Sequence, residues 1–124
     1  MFITAHIAPI LFVTGVITAL PVVQFFFPAA MKVLSKLELT DEGALFFARH
    51  WGLVTLTIGA LLCYAGAHEE ARRPIVLAIV IEKAGLVGLL ASQWNRPYAR
   101  GLRGAALFDG LCCLVYAAFL LKIA

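Results

Sequence analysis

Apolar residues in this chain come in long runs and not in short alternations. Four runs occupy about 3–27, 41–65, 74–94 and 102–123. Each has roughly the 20 residues that one helical crossing of a bilayer requires. Together they leave room for short connections and no separate soluble domain. The pattern predicts an all-α fold, a four-helix transmembrane bundle with both termini on the same side, in a single membrane domain spanning 1–124.

Polar and helix-breaking residues mark the ends of the runs. Pro28 closes the first, and Pro9 and Pro21 lie within it, with a kink expected near Pro21. Thr14 and Thr18 are one turn apart and can bond back to the helix backbone. In the linker at about 29–39, Met31, Leu34 and Leu37 fall at helical spacing with Lys32, Lys36 and Glu38 between them. That reads as a short amphipathic segment lying in the membrane interface. Thr40-Asp41-Glu42 reads as a helix start, with Thr40 as the cap and two acids in the first turn. Gly52, Gly59 and Gly66 recur at heptad spacing, a small-residue face that lets a neighbouring helix approach. His68–Arg73 reads as the second loop, with Pro74 in the first position of the third helix. Ala78, Gly85 and Gly88 predict tight packing of that helix. Asn95–Gly101 is the third loop, and Tyr64, Trp94 and Tyr98 sit near helix ends, as in an aromatic belt.

Composition agrees with the pattern. The chain is 63% hydrophobic and only 14% charged, with mean hydropathy +0.97; soluble domains carry about 25% charged residues. The net charge of +3 is scattered over loops with no basic stripe, so no nucleic-acid partner is expected. Loops 1 and 3 carry Lys32, Lys36, Arg96, Arg100 and Arg103, against Arg72, Arg73 and Lys122 on the opposite side. The positive-inside rule then puts loops 1 and 3 in the cytoplasm and both termini outside. The N-terminal run lacks a basic leader region and is too long for a signal-peptide core, so it is read as the first crossing. Cys63, Cys112 and Cys113 all fall within helices without CxxC spacing and read as buried free thiols.

The chemistry lies where ionisable residues interrupt the runs: Arg49-His50, Glu82-Lys83 and Asp109. Such groups usually face a bundle interior and pair there. Arg49 and Asp109 enter from the same side and reach the same depth, roughly 7 Å at the helical rise. They are expected to form a buried ion pair, with Gln24 and Gln93 approaching that level. Glu82 lies nearer the midplane, while Lys83 points roughly 100° away from it. Cys112, Cys113 and Tyr116 share the Asp109 face. The candidate polar cluster is therefore Arg49, His50, Glu82, Asp109, Gln24, Gln93 and Tyr116. Such a cluster either fixes helix register or ends a cavity that takes a ligand. Haem between His6 and His50 would need both at one depth, and they sit at opposite ends. His68, Glu69 and Glu70 have metal-ligand chemistry but read as a solvated loop. Cys112-Cys113 has no second cysteine pair to relay a soft metal. Neither a cofactor nor a metal is expected.

The four short-looped helices, with Arg49-His50-Trp51-Gly52 opening the second, Glu82-Lys83 in the third and Asp109-Gly110 in the fourth, resemble the small bacterial membrane proteins grouped as DoxX-like. The resemblance covers nearly all the chain and implies a four-helix bundle in a bacterial inner membrane. A more distant likeness is to four-helix sterol-isomerase-like membrane proteins, which hold acids and a histidine in a lipid-facing pocket. The residue types are present here without a matching motif, so no catalytic role carries over. The leading functional expectation is binding of a lipid-like or amphipathic small molecule, or of a membrane partner, at the polar cluster. The alternatives are an isomerase-type enzyme using Glu82, Asp109 and His50, and a small dimeric transporter moving substrate past Glu82. Membrane lipids and a second copy of the chain, as a homodimer, are the expected partners.

Overall fold

Residues 2–27 and 41–122 are described by the computed structural model. They form four helical spans long and apolar enough to cross a bilayer: Ile7–Phe26, Glu42–Ala67, Glu69–Ser92 and Pro97–Leu121. The chain is an integral membrane protein of the all-α, four-helix kind. The linker expected at 29–39, and Thr40, lie outside the described residues.

Proline chemistry shapes the first span. Helix Ile7–Ala19 gives way to a 3-10 turn at Leu20–Val22 before Val23–Phe26 resumes the α form. Pro21 has no N–H to continue the α ladder, so the turn tightens there. A short helix, Phe2–Ala5, precedes this span and packs against the fourth, with Ile3 against the cluster that holds Phe119, so the start of the first span and the end of the fourth share one end of the bundle.

The second span is capped by Asp41, whose carboxylate accepts the Ala44 N–H at 2.9 Å. Its glycine face meets the first span. A Cβ on Gly59 would lie 2.4 Å from the Gly15 carbonyl oxygen, and one on Gly15 would lie 2.8 Å from the Gly59 carbonyl oxygen. Gly52 abuts the backbone at Pro21, and Gly66 abuts the Phe12 ring. Any side chain at this crossing would push the helices apart.

The third span begins directly after His68, so the expected loop at His68–Arg73 is mostly helix and Pro74 lies inside it. The early start is possible because Arg72 turns back onto the preceding helix. Its Nε donates to the Ala65 carbonyl at 2.9 Å and its Nη2 to that of Gly66 at 3.1 Å. Arg73 donates to the Leu120 carbonyl at 2.6 Å, and Arg103 donates to that of Trp94 at 2.6 Å. Three arginines thus satisfy carbonyls at three helix C-termini, where a cation also suits the helix dipole. The glycines of the third span correct another expectation. Gly85 and Gly88 are exposed, and a Cβ on either would meet nothing within 4 Å, so they do not serve tight packing in this chain.

The core falls into two parts. At the end where the first span starts, Ile7, Leu11, Leu62, Ala65, Val76, Ile79, Cys112, Tyr116 and Phe119 pack from all four spans. At the other end Leu90 packs with Ala99 and Ala106, closing the third connection, a 3-10 helix at Pro97–Leu102. The buried polar and charged residues are Gln24, Thr55, Lys83 and Asp109.

Candidate functional site

Helix phase selects the residues that meet in the bundle. On the third span Val76, Ile79, Lys83 and Leu90 share one buried stripe. Lys83 is therefore carried inward by its apolar neighbours. On the fourth span Ala106, Asp109, Cys112 and Tyr116 make the corresponding stripe. The stripes face each other, and the Lys83 Nζ donates to Asp109 Oδ1 at 2.7 Å. Both residues are deeply buried, 1% and 7% exposed.

The ammonium has two further partners. It donates to the Thr18 hydroxyl of the first span at 3.2 Å, and it lies 5.1 Å from the centroid of the Phe108 ring. A buried lysine is tolerated when its charge and donors are satisfied together, and here a carboxylate, a hydroxyl and a ring face do so.

The pair borders a cavity of about 600 Å³ between the two core clusters. All four spans line it. Ile17, Pro21, Trp51, Ile58, Leu86, Leu90 and Phe108 give it apolar walls, and Gln24, Thr18, Thr55, Glu82, Lys83 and Asp109 supply its polar groups. Glu82 is half-buried, because one residue of helix rotates it away from the stripe that carries Lys83 to the centre. Among the described residues Glu82 makes no hydrogen bond and no ion pair.

The expected pairing of Arg49 with Asp109 is corrected by this geometry. Asp109 holds Lys83, while Arg49 and His50 are exposed on the outer surface of the second span and do not line the cavity. Matched depth is necessary for pairing but does not fix direction. The second span turns Ala48, Gly52, Thr55, Gly59 and Leu62 inward, and Arg49 and His50 follow Ala48 on the other side of the helix. Gln24 is buried, lines the cavity and donates to the Ala48 carbonyl at 3.3 Å. Gln93 lies at the end of the third span, where its side-chain oxygen accepts from the Tyr98 hydroxyl at 3.0 Å. Tyr116 is buried in the packed end of the core, with its hydroxyl bonded to Thr14.

Lys83, Thr18, Thr55 and Trp51 complete the site without having been candidates. Lys83 was legible in principle, since its heptad relation to Val76 and Leu90 places it on the apolar stripe. For the other three no sequence signal separates a cavity wall from ordinary helix surface. Among the described residues no group of three His, Cys, Asp or Glu side chains gathers as a metal centre. Cys63, Cys112 and Cys113 are free thiols.

Comparison of the chain with protein-family models, curated proteins and solved structures finds no match. What the site can do therefore follows from its own chemistry. The closed Lys83–Asp109 pair anchors the third span to the fourth. Among the described residues Glu82 is the acid that faces the open volume without an ion-pair partner.

Proposed function

We propose that this protein binds a lipid-like or amphipathic small molecule in the cavity bounded by Trp51, Glu82, Leu86 and Phe108. The observation that carries this reading is the cavity: about 600 Å³ of mostly apolar wall with its charged groups gathered from the third and fourth spans. Sites for small ligands run from about 300 to 1,000 Å³ and share that construction. The isomerase alternative loses support, because His50, its assisting group, is on the outer surface. Gly104 offers a direct test. It lines the cavity, and a Cβ there meets nothing within 4 Å, so Gly104→Phe fills the volume without a backbone clash. Mild-detergent purification followed by mass spectrometry of extracted amphiphiles should show one class enriched with the wild type and depleted with Gly104→Phe. Identical profiles for the two proteins would overturn the reading.

The setting we propose is a bacterial inner membrane with loops 1 and 3 in the cytoplasm, supported by their five basic residues against three on the opposite side. Ser35→Cys and Asn95→Cys should resist an impermeant thiol reagent applied to intact cells; ready labelling at both reverses the orientation. The DoxX-like grouping is proposed on the same whole-chain plan. A homodimer is proposed through the exposed Gly85 and Gly88 surface of the third span, where another helix could approach closely. A monomeric mass in nanodiscs and in several mild detergents would refute it.

A further inference from the structure

We infer that the molecule held in the cavity carries a protonated amine as its head, bound by the Glu82 carboxylate; this rests on the ligand-binding reading above. Three ionisable side chains line the cavity, Glu82, Lys83 and Asp109, and with all three ionised the lining carries one excess negative charge. Lys83 is not free to receive an anion. Its ammonium is engaged by Asp109 at 2.7 Å and Thr18 at 3.2 Å, with the Phe108 ring 5.1 Å away. Among the described residues an anionic head would therefore meet a carboxylate with no available cation.

Thr55 and Gln24 add acceptor oxygens to such a site, beside the donors that Thr18 and Trp51 retain. The Thr55 hydroxyl donates its proton to the Gly52 carbonyl at 3.0 Å, and the Gln24 amide donates to the Ala48 carbonyl at 3.3 Å. Gln24 keeps one amide proton, and both groups keep oxygen lone pairs for the cavity. A head group made of donors matches them, and an ammonium supplies both the donors and the missing charge. An unpaired carboxylate beside apolar walls is costly, so a cation at Glu82 removes a penalty that a neutral alcohol leaves in place. The apolar walls then take the tail.

Trp51 provides the readout, because it lines the cavity and Trp94→Phe leaves it as the sole tryptophan. Trp51 is also 37% exposed, so quenching from the bilayer must be subtracted, using the Gly104→Phe protein as the filled-cavity baseline. The protein in phosphatidylcholine nanodiscs is titrated with 11-bromoundecylamine, 11-bromoundecanol and 11-bromoundecanoate. The expected result is saturable quenching by the amine at about one-tenth the concentration needed for the other two, with Glu82→Gln bringing the amine close to the alcohol. The ranking of the three probes on the unaltered site stands even if Glu82→Gln fails to fold. Saturable quenching without amine preference, a preference for the acid or the alcohol, or an amine preference that survives Glu82→Gln each overturn the amine inference and leave the binding cavity standing. Absence of saturable quenching by any probe overturns both.

Discussion

The Lys83–Asp109 pair can be tested by taking it apart. At 2.7 Å the gross attraction is about 6 kcal/mol for an effective dielectric constant near 20. Desolvation removes several kcal/mol for each ion, so the pair as a whole adds little net stability. The asymmetry lies in the single variants. Lys83→Met strands a buried carboxylate and Asp109→Leu strands a buried ammonium, each expected to cost about 3–5 kcal/mol. The double variant leaves neither charge and should fall within about 2 kcal/mol of the wild type. A double-mutant cycle should then return a coupling of about 4 kcal/mol or more, favouring the pair. The measurement is unfolding in mixed micelles with increasing dodecyl sulfate, followed by helical circular dichroism. Arg49→Ala is the control. Arg49 is exposed, so its loss should change stability by no more than about 0.5 kcal/mol. Simple additivity of the two single losses, or an Arg49→Ala loss as large as that of Lys83→Met, would refute the assignment of Lys83 as the partner of Asp109.

Gly59→Ala should be strongly destabilising, by about 1–3 kcal/mol or more, because its Cβ would lie 2.4 Å from the Gly15 carbonyl oxygen; Gly110→Ala, with nothing within 4 Å, should be neutral or slightly stabilising in the same unfolding assay. Thr14 gives its hydroxyl proton to the Ile10 carbonyl at 2.7 Å, so Tyr116 is the donor in their shared bond. Tyr116→Phe therefore loses one hydrogen bond and should cost about 0.5–1.5 kcal/mol; a loss near that of Lys83→Met would mean that Tyr116 supports the ion pair directly. Arg72→Ala uncovers the Ala65 and Gly66 carbonyls and should speed amide exchange in the last turn of Glu42–Ala67, leaving the centre of that helix protected. Unchanged exchange there would show that Arg72 is dispensable for the junction.

Apolar run length was enough to read four crossings, because a bilayer demands about 20 residues from each and forces their backbones into helix. The same one-dimensional reading found Asp109, Glu82 and Gln24, since a polar residue in hydrocarbon is conspicuous wherever it points. It could also place Arg49 at the depth of Asp109, because depth is a linear coordinate along a helix. Direction is not. Whether a side chain faces the bundle depends on which stripe its helix turns inward, and that depends on its neighbours. The contact of Gly15 with Gly59 fixes the rotation of the second span and sends Arg49 outward. The apolar stripe of Val76, Ile79 and Leu90 fixes the third and brings Lys83 to the centre. The cavity is a property of the assembled bundle, because it is the space left where four spans pack closely at their ends and hold polar side chains between. No single helix contains that space, and so only the tertiary structure could decide it.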